Sequence, residues 1–237
     1  MFTSIGSLRA TPKRRGGRAR AFTLVEIILV IAILISLTGL LFPALVQARR
    51  SAQARVCSSN LHNNFLAASL YATDHDDVWP LGKDCADLFR PDTWPLHLQP
   101  AIERMPLLSD QLQVYSKSKG TWSCPLDEGL SVLDTQPIIE IDAPRSLFDA
   151  CGMSYRYNTS LGLQGVPFTA FPNLTGLMYL QDQSGHWHPN TQALPRGVDP
   201  TRMDLWTQGF RYNTVFGDGH QRLITFGQSA AAWQGQL

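Results

Sequence analysis

The chain's 237 residues leave room for one core domain plus appendages rather than two domains of ordinary size. With 20 Lys+Arg against 19 Asp+Glu it is nearly neutral, which removes the electrostatic footprint of a nucleic-acid-binding protein. The charge is nevertheless uneven: Lys13, Arg14, Arg15, Arg18 and Arg20 cluster together, no acidic residue precedes Glu26, and the most apolar stretch follows directly.

Between Ile27 and Phe42 there is no charged side chain. As a helix this run would extend about 24 Å at a rise of 1.5 Å per residue. Adding residues 22–25 in front and 44–46 behind brings it near the thickness of a bilayer's hydrocarbon core. The basic cluster should stay cytoplasmic, which puts the C-terminal bulk on the outer side. A cleaved secretory signal, an uncut anchor and a prepilin leader all share this layout. Val46-Gln47-Ala48 offers small residues for a signal-peptidase cut that would release a soluble chain from Arg49. Glu26 argues against a plain signal, because a carboxylate inside an apolar run costs a few kcal/mol, roughly, unless something pairs with it.

The segment Ala21-Phe22-Thr23-Leu24-Val25-Glu26 resembles the type IV prepilin motif, a small residue followed by FTLVE. The resemblance implies that prepilin peptidase cuts between Ala21 and Phe22 and that the new amino group of Phe22 is methylated. It also implies that Glu26 pairs with the amino terminus of a neighbouring pilin or pseudopilin subunit. The family normally has Gly before the cut, where this chain has Ala21. Pro43 removes one backbone hydrogen bond and should kink the membrane helix, at a depth where pilin helices commonly carry a proline.

From Ala44 to about Thr73 nothing breaks a helix. Leu45, Ala48, Ala52, Val56, Phe65, Ala68 and Tyr71 form one stripe at three- and four-residue spacing, to be packed under a sheet. The stop is expected at Val78-Trp79-Pro80, since the residue before proline avoids helical geometry. The expected organisation is a leader over 1–21, a transmembrane and polymerisation helix over 22–46, its amphipathic continuation over 47–78 and a globular head over 79–237. This is an α+β, pilin-like fold: a long N-terminal helix, half in the membrane and half on an antiparallel sheet, with an irregular C-terminal head. The expected location is the bacterial inner membrane, single-pass, with the head periplasmic.

The stretch 48–80 is also similar to large pseudopilin-like proteins whose C-terminal motif is a His, a nine-residue gap, then Asp-Gly. Cys57, Asn60, Leu61, Tyr71, Ala72, Asp74, Asp76, Asp77, Trp79 and Pro80 carry this second resemblance.

Beyond Pro80 the chain is rich in Pro, Gly and aromatic residues. Pro91, Pro95, Pro100 and Pro106 allow at most one short helix, near Leu107 to Ser116. Short strands are expected at Thr121 to Pro125, Met153 to Tyr157 and Leu177 to Leu180. Thr214 to Phe226 reads as a hairpin turned at Asp218-Gly219. That hairpin resembles the family's closing motif, although the position of the motif's His holds Gln208. A hairpin that merely completes the sheet tolerates this substitution.

Four cysteines beyond the export segment allow up to two disulfides in three connectivities, or four buried thiols. No CxxC spacing points to zinc. The family resemblance implies a Cys57–Cys124 bridge, which leaves Cys85 and Cys151 as the second pair.

Asp74, Asp76 and Asp77 at the helix exit offer weak calcium candidates, against the alternative of a solvated helix end. No other cofactor is expected. His186-Trp187-His188 reads either as a metal or sugar contact or, more commonly for such spacing, as an incidental pair of histidines on an exposed loop. Trp94, Trp122, Trp187 and Trp206 serve either an interaction surface or the core. No nucleophile elbow, HExxH or phosphate-cradling glycine run is present, so no catalytic residue is assigned and no enzyme is expected. The functional expectation is a pseudopilin of a type II secretion or type IV pilus-like filament, partnered by other subunits and inner-membrane lipid. The alternative is a tethered or secreted enzyme or carbohydrate-binding module that uses the N-terminus only for export.

Overall fold

The computed structural model describes residues 22–116, 118–135, 138–143, 145–188 and 191–237. The leader 1–21, including Ala21 on the near side of the expected cut, lies outside the described residues. Two compact units divide between Val46 and Gln47, and each is taken by itself.

The first unit holds the start of helix α1 (Leu24–Asp74). Thr23 and Glu26 form a reciprocal cap. The Thr23 N–H and hydroxyl donate to Glu26 Oε2 at 2.8 and 2.9 Å, and the Glu26 N–H donates to Thr23 Oγ1 at 3.3 Å. A Thr followed three residues later by Glu thus satisfies backbone donors that the helix start leaves open. Every residue from Leu24 to Val46 is exposed. The helix continues through Pro43.

In the second unit the same helix buries Cys57, Leu61, Asn64, Ala67, Ala68, Tyr71 and Ala72. Spacings of three and four are as expected, but the buried line is displaced from the expected one. Leu45 and Val56 are exposed, whereas Cys57 and Asn64 are fully buried. The helix also ends earlier than Val78. Asp76 and Asp77 adopt left-handed backbone conformations (φ 53° and 59°), and the Asp77 N–H bonds back to the Ala72 carbonyl at 2.9 Å. Left-handed residues end a helix, and Asp accepts that geometry more readily than most side chains.

The head is built on a four-stranded antiparallel sheet in the order β3 (Tyr155–Tyr157), β4 (Met178–Asp182), β5 (Arg211–Phe216), β6 (Gln221–Thr225). A separate antiparallel pair joins β1 (Leu130–Leu133) to β2 (Ile139–Ala143). Central strand β4 is buried along its whole length. Tyr179 and Val215 belong to a core shared with Leu61, Ala68 and Trp79, whereas Met178, Tyr212 and Phe216 pack with Ile224 and Phe226. Trp79 stacks on Tyr179 with ring centroids 4.9 Å apart, and Phe65 meets Tyr179 edge-on at 5.6 Å. The α+β arrangement, with a long helix first and antiparallel strands after it, is the pilin-like plan expected.

Two local expectations are corrected. Instead of one short helix, the described residues contain α2 (Cys85–Phe89), α3 (Gln99–Arg104), α4 (Leu108–Gln111), α5 (Leu147–Cys151), α6 (Thr159–Gln164), α7 (Met203–Thr207) and α8 (Phe226–Trp233). Pro91 and Pro100 lie in the first turn of a helical segment, where a missing N–H costs nothing. Thr121 to Pro125 is not a strand, because Lys119–Trp122 forms a tight helical turn. The Asn60 and Asn64 amides on α1 donate to the carbonyls of Ser123 and Thr121 at 2.9 and 3.0 Å, which supplies partners that a sheet would otherwise provide.

Candidate functional site

The candidate assembly element is the first half of α1. It is the one helix among the described residues long and apolar enough to cross a membrane, and none of its most apolar window is buried. Phe22 is largely exposed ahead of the Thr23 cap. All three cap hydrogen bonds on the glutamate side use Oε2 or the backbone, so Oε1 of Glu26 retains its acceptor capacity. Capping orients this carboxylate toward the chain's amino-terminal end. The motif's Thr-x-x-Glu spacing carried the signal for the cap, which family resemblance alone did not reveal.

Asp218 and Gly219 close the β5–β6 hairpin. Gly219 sits at φ 86°, and a Cβ there would come within 2.6 Å of the Phe65 ring on α1. Glycine is therefore required twice, for the left-handed backbone and for the close approach. Asp218 Oδ1 accepts from the His220 N–H at 3.1 Å and lies 2.6 Å from its Nδ1. Burial raises the Asp218 carboxyl, but the hydrogen bonds from His220 outweigh it and hold the group below the usual range. Beside this turn, the Gln221 amide donates to the Ser58 carbonyl at 2.7 Å, and the Ser58 hydroxyl donates to Gln221 Oε1 at 2.7 Å. Gln208 lies exposed at the end of α7, with its backbone carbonyl accepting from Arg211 at 3.2 Å. The hairpin is thus a clasp on α1, in which Gly219 of the Asp-Gly turn approaches Phe65 and Gln221 holds Ser58.

Cys57 is bonded to Cys124 and Cys85 to Cys151. The first bridge ties α1 to the segment before β1, across 67 residues of sequence. A loop of this length makes a bridge worth on the order of 4 kcal/mol in the chain-entropy picture. Asp127, soon after Cys124, accepts from the backbone N–H groups of Gly129, Leu147 and Phe148 and from the Ser154 hydroxyl at 2.6–3.1 Å. It is a structural clamp that ties the segment after Cys124 to the start of α5 and to Ser154.

Compared with family models, curated proteins and solved structures, this chain matches none.

The acidic turn and the histidine pair fare differently. Asp74, Asp76 and Asp77 are all exposed, and Asp74 accepts from the Tyr115 hydroxyl at 3.0 Å. His186-Trp187-His188 is not an exposed loop: His186 and Trp187 are buried, and His188 Nε2 lies 2.8 Å from Asp182 Oδ2. Burial pushes His186 down to about 4. Burial also lowers His188, but the Asp182 carboxylate outweighs it and raises the group. His188 approaches Cys57 and Cys124 closely enough for three metal-type ligand atoms to cluster. Both sulfurs are spent in the disulfide, however, and supply no thiolate. Of the tryptophans, Trp122 and Trp187 are core residues, while Trp206 is about half exposed.

Proposed function

We propose that this chain is a prepilin-type pseudopilin, a structural subunit of a type II secretion or type IV pilus-like filament. In this reading prepilin peptidase cleaves between Ala21 and Phe22, and the Phe22 amino group is methylated. The observation that carries the proposal is the first half of α1, where a single carboxylate heads a run of residues that are all exposed. Such a surface needs lipid or other apolar helices around it. In the membrane, lipid covers it; in a filament, neighbouring copies of the same helix do. Glu26 then has a partner that offsets the cost of its charge, the positively charged amino terminus of an adjacent subunit.

The Thr23–Glu26 cap gives this role a physical basis. It holds the carboxylate in one orientation with an oxygen to spare, so that pairing does not first have to order a free side chain. The charge itself sets axial register between subunits, because van der Waals packing of Leu and Ile side chains alone discriminates little between registers.

The test is a comparison of Glu26→Gln with Glu26→Ala in the native host. Gln at this position preserves the capping hydrogen bonds, and Ala does not. Both variants should be cleaved and methylated normally and both should fail to enter filaments, as read by crosslinking to other subunits. Normal incorporation of Glu26→Gln would overturn charge pairing as the assembly mechanism.

A further inference from the structure

The head contains a cavity of about 270 Å³ between α2, α8, β3 and the β1–β2 pair, far in sequence from the assembly helix. Asp84, Asp87, Asp134, Arg156, Trp94 and Trp233 contribute to its wall. The Arg156 guanidinium carbon lies over the Trp233 ring, 4.5 Å from its centroid. The cation–π attraction at this distance restrains the guanidinium. Among the described residues no hydrogen bond or ion pair uses its donors.

The carboxylates, in contrast, are almost fully engaged. Asp84 accepts from the backbone N–H groups of Asp87 and Tyr157, both at 3.0 Å. Asp87 accepts from the Trp94 indole at 2.6 Å and the Thr159 hydroxyl at 2.5 Å. Asp134 Oδ2 accepts from the Gly185 N–H and the Tyr212 hydroxyl, while Asp134 Oδ1 has no partner. Asp134 is 2% exposed, so this unmet acceptor is buried. Burial and the Asp87 charge push the Asp84 carboxyl above the usual range.

This wall disfavours a bare cation, because the oxygens of Asp84 and Asp87 already accept hydrogen bonds and the Arg156 guanidinium shares the wall with them. It also disfavours a strong anion, which would face Asp87 and Asp134 as well as Arg156. Hydroxyl groups fit this wall, since each can accept from the guanidinium without setting a charge against the neighbouring carboxylates. Aromatic surface from Trp94 and Trp233 beside such donors and acceptors suits the apolar face of a sugar ring. We infer that the head binds a single neutral sugar unit in this cavity, held by Arg156 beside the Trp94 and Trp233 rings. The inference is independent of how the chain is anchored.

The full chain, extracted in a detergent without a sugar headgroup, can be titrated with glucose, galactose, mannose and N-acetylglucosamine. Saturation-transfer NMR reads binding, with glycine and glutamate as zwitterionic and anionic controls. At least one sugar should bind with roughly millimolar affinity, the range open to a ligand of so few atoms. Arg156→Gln should weaken it at least tenfold. Ala230→Trp, which fills the cavity from an exposed position on α8, should abolish it while leaving far-ultraviolet circular dichroism unchanged. Binding of none of the four sugars, binding of the controls instead, or binding undiminished by Ala230→Trp would each overturn the inference.

Discussion

The two halves of α1 share a secondary structure and differ in what holds it. From Leu24 to Val46 every side chain is exposed, the surface is largely apolar on all sides, and the local fastenings are a Thr–Glu cap and a hydrogen bond from the Thr38 hydroxyl to the Leu34 carbonyl. From Gln47 to Asp74 one line of residues is buried, fixed by a disulfide, two Asn–carbonyl hydrogen bonds and an aromatic cluster. A helix that is apolar all round must be completed by something outside the chain, whereas a helix with one buried line is completed by its own fold. The same element therefore leaves an apolar surface open at one end and stabilises the head at the other.

Matched truncations in the two halves should separate these roles most sharply. Leu61→Ala, at a fully buried position, should cost the head about 3 kcal/mol by chemical denaturation. Leu34→Ala, at an exposed position, should leave head stability within about 0.5 kcal/mol. Equal effects would break the division between the halves.

Gly219→Val comes next, at about 2–3 kcal/mol, because the new side chain would meet Phe65 in a backbone conformation that β-branched residues avoid. Phe65→Ala in the same chain should recover part of that loss if the hairpin is a clasp on α1. Additive losses would argue that the two residues do not meet.

A pH titration of the head gives a smaller effect. His186 is neutral in the fold, its pKa moved from 6.5 down to about 4 by burial. A group depressed on folding stabilises fully above its unfolded pKa and loses that contribution as pH falls toward the folded one. Stability should therefore drop between pH 6.5 and 4, by on the order of 2 kcal/mol, and His186→Gln should flatten that limb of the curve. His188 runs the other way: its raised pKa makes its contribution fade as pH rises through the folded value. Gln208→His, which restores the motif's usual residue at an exposed site, should change stability by less than about 0.5 kcal/mol.

Much of α1 was legible in the sequence, because an uncharged run and the absence of Pro and Gly from residues 44–73 are local signals. Its end was placed too late, at Val78, because Asp76 and Asp77 turn left-handed before Pro80 is reached. The C-terminal hairpin was legible for the same reason, through Asp218-Gly219 between two β runs. The buried line was misplaced because Cys57 and Asn64 do not read as core residues; one is buried by a bridge and the other by a carbonyl that only the folded chain brings near. The short helices after Pro80 were hidden by prolines that begin helical segments rather than forbid them. The histidine pair looked exposed because its partners, Asp182 and Asn213, lie on strands outside its own segment. The cavity was invisible for a related reason, as its walls come from segments 70 and more residues apart, from Asp84 through Arg156 to Trp233.

The central claim, that the apolar half of α1 is a processed assembly helix, is tested most directly by the amino terminus and intact mass of the membrane-extracted protein from its native host. The account predicts a chain that begins at N-methylated Phe22. A chain that begins at Arg49 would contradict it, since the whole apolar segment would then have been removed as an export signal.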